Sequence, residues 1–541
     1  MKDIVKVEYN NVGNTLVPVS NTDFPVNHFV GYNSELMALV DITDKEGNVT
    51  KRHIEVREES FIEDFNKVCY VYAHPTLNTP YHYNTETGIW DEVITGRFSL
   101  SDWFYENTLV PPFREVLKTN EYGNLVGKEL RKLSGKLATR SMTKGGNTPL
   151  GEQPNPNIIA FENGTYDFKT NTIRETVLED YHTVQLRYPL IEENDESKIL
   201  AVDWMRFVLE DNAQAMFEYI GYMYYREYKY QNIAFLINDP NKSKSGSNGK
   251  SQVGGFIVDN LFGKENSSAV GIDLLSDSKN RFDKASLHHK LVNFEADSSG
   301  NFLNATNTLK KLSGGRDSVH AERKGLDAFS FINYAKLMFS MNELPSFNDR
   351  TNGWYRRLLI IPFPKDFSTD KYTEELKKYN EQEKERKSKE QLGMFAWFCI
   401  QQFRKILNKG ANGENPFTET PSMIEMRNNY IDGNNPAADF LDNVPVLETG
   451  TQEDVVKVSV VKSIFNTYSK ENNSNKSMTW KTFKKLLESE DIIEKRTANA
   501  RVLTGLKLAK RGDYLDIKPY LQDLVFASEY VEIFGDMKGG N

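Results

Sequence analysis

The apolar run Gln231-Asn-Ile-Ala-Phe-Leu-Ile-Asn238 is followed by the small polar stretch Lys244-Ser-Gly-Ser-Asn-Gly-Lys-Ser251 and then by the helical run Gln252–Phe262. A buried strand, a loop of small residues and a helix in that order predict an open α/β sheet with a phosphate-binding loop at a strand's carboxyl end. Such a loop works because successive backbone N–H groups and a helix N-terminus point at the phosphates. Ser245, Gly246, Ser247, Asn248, Gly249, Lys250 and Ser251 are therefore the candidate ATP-binding residues, with Lys250 reaching the β and γ oxygens and the Ser251 hydroxyl ligating Mg²⁺. Lys244 stands where the first glycine of such a loop is expected, which leaves turn flexibility to Gly246.

Three further apolar strands then end or begin in polar groups. Glu295 and Asp297 close the run Leu287–Asp297, some 45 residues after Lys250. Phosphoryl transfer is catalysed by positioning and charge, so a carboxylate on Mg²⁺ and another on the attacking water are what this strand can deliver. The run Lys336–Asn342 ends in the amide of Asn342, suited to sensing the γ-phosphate or holding the water. Arg356 and Arg357 precede the strand Leu358–Pro362 and are candidates for a finger in the ATP site of the next subunit. His288 and His289 are read as adjacent strand residues facing opposite ways, and no metal site is expected of them.

Length and punctuation predict several domains. The 541 residues divide into an α+β accessory region at 1–142, a linker and preceding segment at 143–200, the P-loop core at 201–365, a helical connector at 366–436 and a C-terminal domain at 437–541. The acidic and basic run Lys377–Gln391 reads as one solvated helix braced by Glu383/Lys387 and Glu385/Lys389. With 39% hydrophobic residues the chain has material for cores and is too apolar for a disordered one. A net charge of −9 does not announce nucleic acid, so any DNA-binding surface has to be a local patch. Only Cys69 and Cys399 are present, which excludes a disulfide framework or a cysteine zinc site and predicts a reducing, cytoplasmic compartment. No signal peptide or membrane-spanning run is apparent, and no membrane partner is expected.

Taken together, these motifs resemble superfamily 3 helicases of phages, plasmids and large DNA viruses, in the branch of phage and poxvirus primase-helicases. The residues that carry the resemblance are Ser245–Ser251, Phe294–Asp297, Leu309–Lys324, Phe339–Pro345 and Arg356–Arg357, in that order, with Pro156–Phe168 and Phe217–Tyr224 upstream. The resemblance implies an AAA+ core of three α/β layers, a hexameric ring of identical chains, and movement along single-stranded DNA in the 3′ to 5′ direction. It also implies that the hairpin formed by Ser318–Glu322 and Ala328–Ile332 lines the channel and grips DNA through Arg323 or Lys324. No cluster of metal-binding acids supports a primase site early in the chain, since Asp41 and Asp44 read as a turn. Priming by a separate primase is therefore expected. A primase site in an unrecognised form, or an origin-binding or assembly protein that uses ATP as a structural ligand, stay open beside the helicase reading.

Between Lys481 and Arg511 nine basic residues face four acids, a local +5. The pattern there is helix (Val458–Lys470), polar loop, helix (Thr479–Glu490) and two strands (Ile492–Arg496, Leu503–Leu508), which reads as a winged helix. Lys481, Lys484, Lys485, Lys495 and Arg496 are its candidate contacts to double-stranded DNA.

Overall fold

The computed structural model describes residues 4–6, 37–43, 49–56, 58–59, 62, 70–73, 80–93, 99–110, 117–118, 123–144, 150, 154–239, 247–298, 306–324, 328–342, 344–345, 352–407, 415–433, 436–471, 480–498, 500–512, 514–524 and 533. The chain forms two compact units, Met1–Pro345 with Arg356–Glu419 and Ser346–Tyr355 with Thr420–Asn541. Residues 420–436 group with the C-terminal segment in the second unit.

In the first unit, β1 (Ile4–Lys6), β2 (Met37–Thr43) and β3 (Val49–Val56) form an antiparallel sheet. Asp41 thus lies in a strand rather than a turn, and Asp44 lies outside the described residues. A second antiparallel sheet joins β4 (Val71–Ala73), β5 (Pro80–Asn84) and β6 (Ile89–Glu92). Its anchor is Trp90, buried, stacked on Tyr72 with ring centroids 5.0 Å apart and donating its Nε1–H to the Leu178 carbonyl at 3.1 Å. Helix α1 (Gly123–Lys144) completes the expected α+β character of this region.

A four-stranded sheet follows, made of β7 (Ile158–Phe161), β8 (Gly164–Asp167), β9 (Thr172–Arg174) and β10 (Gln185–Leu186) in the order β10-β7-β8-β9. Helices α2 (Leu200–Leu209) and α3 (Ala213–Met223) lead into the main sheet. That sheet contains β11 (Ile233–Asn238), β12 (Ser267–Ser268), β13 (Val292–Glu295), β16 (Lys336–Ser340) and β17 (Leu358–Phe363), all parallel, in the order β12-β13-β16-β11-β17. Between β13 and β16 the chain makes a separate antiparallel hairpin, β14 (Ser318–Ala321) with β15 (Phe329–Ile332). Parallel strands covered on both faces read as unbroken apolar runs, which is why β11 and β17 were legible.

Short helices α4 (Lys250–Gly255), α5 (Ile272–Ser276), α6 (Phe282–Ala285) and α7 (Asn307–Leu312) connect these strands, α4 continuing as a π-helical turn Phe256–Leu261. After β17 come α8 (Thr373–Glu381), α9 (Glu383–Arg386) and the long α10 (Lys389–Leu407). The single solvated helix expected over Lys377–Gln391 is therefore two helices and the start of a third. Arg386 is buried there, its guanidinium 4.4 Å from the centroid of the Trp204 ring. The expected Glu383–Lys387 pair is formed. Helices α3 and α10 approach so closely that a Cβ on Gly221 would lie 2.1 Å from the Cys399 carbonyl oxygen, so that crossing requires glycine.

The second unit holds α11 (Pro421–Gly433), α12 (Pro436–Asn443), β18 (Leu447–Thr449), β19 (Val455–Lys457), α13 (Val458–Glu471), α14 (Trp480–Ser489), β20 (Ile493–Arg496), β21 (Arg501–Thr504) and β22 (Leu506–Leu508). β19, β21 and β20 form one antiparallel sheet and β18 pairs with β22. The two helices and the strand at Ile492–Arg496 lie where expected, whereas the single strand read over Leu503–Leu508 is broken at Gly505, φ +82°, into β21 and β22 of different sheets; α13 and α14 pack through Phe465 and Phe483, stacked 4.1 Å apart.

Candidate nucleotide site

Three strands of the main sheet bring polar groups to one end. β11 is an inner strand, with β16 on one side and the edge strand β17 on the other, so the loop after it leaves the carboxyl edge of the sheet at a point where the strand order reverses. That is where ligands of open α/β sheets bind. Lys244, Ser245 and Gly246 lie outside the described residues, while Ser247, Asn248, Gly249, Lys250 and Ser251 are described. Gly249 has φ +88°, a left-handed backbone that favours glycine, and a Cβ there would meet Val208 at 3.1 Å and Phe367 at 3.2 Å. Ser247 is fixed by its carbonyl, which accepts from the Phe367 N–H at 2.7 Å.

Lys250 is only 5% exposed. Its ammonium donates to Asn238 Oδ1 at the end of β11 and, at 3.3 Å, to Asn342 Oδ1 just beyond β16. Burial pulls its pKa down to about 8, and the charge of Asp297 opposes that shift. Both hydrogen-bond partners are neutral amides, so among the described residues no carboxylate is bonded to the cation. Asn248 is buried beside it, donating to Asn238, while its own Oδ1 has no hydrogen-bond partner among the described residues. A buried ammonium between neutral amides, at the start of a helix after a glycine-bent loop, fits a triphosphate.

The two acids differ. Glu295 Oε2 accepts from the Ile272 N–H at 3.1 Å, at the start of α5, and from Ser298 Oγ. Asp297 is exposed, and its charge acts on Lys250. Ser251 is exposed on the first turn of α4. A hydroxyl and carboxylates are hard oxygen donors, the set Mg²⁺ takes.

Arg356 and Arg357 sit at the amino end of β17, the edge opposite the loop. Arg356 is exposed and donates to Gln231 Oε1 at 2.9 Å. Arg357 is buried and donates to Ser313 Oγ at 3.1 Å and to the Lys310 carbonyl at 3.5 Å, tying down the end of α7. Its guanidinium is committed inside the chain.

The hairpin forms as expected, but its two basic residues part company. Arg323 makes a two-pronged ion pair with Glu92 of β6, 2.9 Å on its longer side, donates toward His288 Nδ1 at 3.0 Å and lies 4.8 Å from the Phe329 ring centroid. Lys324 is exposed, and the tip residues 325–327 lie outside the described residues. The histidines also depart from expectation. They occupy the turn before β13, where His289 has φ +56°, and their rings lie 3.7 Å apart rather than facing opposite ways.

With Glu92 these histidines could in principle close around a metal ion. Arg323 already occupies that carboxylate, and His289 is held through both ring nitrogens by Tyr81 Oη at 2.9 Å and Thr183 Oγ1 at 3.2 Å. The cluster therefore serves to hold the β4–β6 sheet against the hairpin base.

Burial holds His289 and the equally enclosed His182 neutral, each with a pKa near 3, and lowers His288 well below its ordinary value. The unfolded chain binds these protons near pH 6.5 and the folded chain does not, so stability present above about pH 6.5 is lost as the pH falls towards 3. The unfolding free energy from denaturant melts should therefore drop over that range by up to about 1.4 kcal/mol per pH unit for each histidine. Replacing His182 and His289 together by Gln should flatten the profile.

In the second unit, Glu494 receives an ion pair from Lys484 and a second, at 3.4 Å, from Arg501. Lys481, Lys495 and Arg496 are exposed, and the Lys485 side chain lies outside the described residues.

Sequence reasoning missed Asn238 and the Glu92 cluster. Asn238 carried the same signal as Asn342, an amide ending an apolar strand at the sheet's carboxyl edge. Glu92 lies in a short strand 231 residues from Arg323, and nothing local marks the pair.

Comparison with known proteins adds the following. Residues 242–357 match a family described as a family of unknown function, DUF5906. The chain is 26% identical over 393 residues, 65% of its length, to “Putative helicase 184R” of Invertebrate iridescent virus 6, and 25% identical over 289 residues, 48% of its length, to “Putative helicase 121R” of Invertebrate iridescent virus 3. Those alignments span 38% and 29% of the viral proteins. Among solved structures, the apo C-terminal region of NrS-1 matches with a TM-score of 0.40 at 13% identity, covering 85% of this chain and all of that one. The chain is thus related to viral proteins that bear the name helicase. Among the described residues no helix is long and apolar enough to cross a membrane.

Proposed function

We propose that the chain is an ATP-driven DNA helicase of superfamily 3 with an AAA+ core, a replication initiator or replicative helicase of a phage or other mobile element. It moves along single-stranded DNA in the 3′ to 5′ direction as a hexameric ring. The observation that carries this reading is the Lys250 ammonium, buried between Asn238 and Asn342 at the carboxyl edge of a parallel sheet, where the charge of Asp297 acts on it. The helicase names of the viral relatives support it.

In this reading the N–H groups of the loop and Lys250 bind the β- and γ-phosphates of ATP. Ser251, Asp297 and Glu295 are the residues to hold Mg²⁺, which supplies neutralisation of charge on the transferred group. Asp297 acts at the metal, Glu295 and Asn342 orient water, and the exposed Arg356 reaches the ATP of a neighbouring subunit. ATP turnover measured with Mg²⁺, with and without single-stranded DNA, tests the reading. DNA-stimulated hydrolysis is expected, and a chain that hydrolyses no ATP under either condition refutes it.

DNA contact divides between two places. Lys324 grips phosphates of a strand in the channel, so Lys324→Ala should spare basal ATPase and remove its stimulation by DNA of any sequence. In the winged-helix-like unit, Glu494 offsets Lys484, and the duplex contacts fall to Lys481, Lys495 and Arg496. Lys495→Ala with Arg496→Ala should weaken duplex binding and lower its log–log salt slope by about two units, one per lost phosphate contact. Lys484→Ala should change the slope by much less; equal slopes for all variants would remove duplex binding from this face.

A further inference from the structure

Beside the phosphate loop lies a group of aromatic rings that the phosphate chemistry leaves unused. Phe207 lies in the last turn of α2, and Phe367 and Tyr372 follow β17. All three are partly exposed. Their centroids lie 5.6 to 5.9 Å apart, Phe367 tilted by 38° to Phe207 and edge-on to Tyr372. Lys365, itself nearly buried, places its Nζ over the rings of Phe207 and Tyr372, 4.7 and 4.5 Å from their centroids, and pairs with Glu210 at 3.2 Å. Those two rings are therefore held by a cation. Phe367 is bound to the loop itself: its N–H donates to the Ser247 carbonyl, and its ring edge is what a Cβ on Gly249 would strike.

We propose that Phe367, backed by Phe207 and Tyr372, is the stacking platform for the base of the bound nucleotide, and that it selects by ring area, purine over pyrimidine. The proposal rests on the phosphate-loop reading of Lys250. A half-exposed ring fixed to the first described residue of the loop lies within a nucleotide's length of the phosphates, and every base offers a face to stack on. The larger purine face gains more. Stacking does not need base-edge hydrogen bonds, so ATP and GTP should bind alike.

The test is calorimetric binding of ATP, GTP, CTP and base-free tripolyphosphate, each with Mg²⁺, to the full chain and to Phe367→Ala, Phe367→Tyr and Lys250→Ala. The wild type should bind both purine nucleotides about tenfold to hundredfold more tightly than tripolyphosphate, with CTP between, the range a base–aromatic stack is worth. Phe367→Ala should lose most of that advantage while its tripolyphosphate affinity stays within about twofold, which also shows the loop is intact. Phe367→Tyr should keep the advantage. Lys250→Ala should weaken all four ligands. If tripolyphosphate binding depends on Lys250 but Phe367→Ala leaves the purine advantage intact, the platform is wrong and the loop stands. If Phe367→Ala weakens tripolyphosphate as much as ATP, the ring only supports the loop and the platform is again overturned. Loss of oligothymidine binding with purine preference unchanged would assign the rings to DNA. Tripolyphosphate binding indifferent to Lys250→Ala would refute the loop reading itself.

Discussion

Lys250→Ala should lower ATP hydrolysis by about 10²–10³ or more, the scale of removing one preorganised electrostatic group from a reacting centre. The ammonium is held by Asn238 and Asn342, neutral partners that fix its direction without cancelling its charge, so in the proposed reaction its field would be available where negative charge develops on the γ-phosphoryl group. Burial brings its pKa down to about 8, so the surrounding fold does little to stabilise the cation. Removing it takes away a charge the fold gains little from. Circular dichroism and the unfolding midpoint should therefore change little while turnover collapses, and a Lys250→Ala chain with wild-type turnover would move the nucleotide elsewhere.

Arg356→Ala should be equally severe for hydrolysis, because a finger arginine supplied in trans contributes about 10³–10⁵ in rate. Arg356 lies at the amino edge of the sheet, opposite Lys250, so in the proposed ring it would act on a neighbour's ATP rather than its own. Mixing Arg356→Ala with Lys250→Ala should then restore part of the activity, since some interfaces combine an intact loop with an intact arginine. Activity that never exceeds either variant alone would argue against shared sites. Arg357→Ala should behave differently. Its buried guanidinium holds Ser313 and the Lys310 carbonyl, so its loss should lower stability by about 1–3 kcal/mol, the cost of leaving buried partners unpaired, and mixing should not rescue it.

What the sequence made legible follows from how local each signal is. β11, β13, β16 and β17 are buried on both faces, so their apolar runs stand out, and the polar residues at their carboxyl ends, Asn342 among them, could be picked by position alone. Arg323 and Arg357 looked like DNA and nucleotide contacts because a sequence shows charge without partners. Glu92 and Ser313, remote in the chain, are what commit them to the fold. His288 and His289 were misread for a related reason: a positive φ at His289 ends the strand pattern and turns the two rings onto each other. Likewise, the charged run Lys377–Gln391 hid a buried arginine, since Arg386 finds Trp204 from a distant helix. Phe367 carried no signal at all, for an aromatic after a strand is ordinarily core.

The central claim is that ATP turnover at Lys250 drives separation of DNA strands. Strand displacement from a forked duplex, labelled on one strand and offered with either a 3′ or a 5′ single-stranded arm, tests it most directly. The wild-type chain with ATP and Mg²⁺ should release the labelled strand when the 3′ arm is present, and Lys250→Ala should release none. Full ATP hydrolysis without displacement on either fork would contradict the claim and leave the chain a DNA-bound ATPase of another kind.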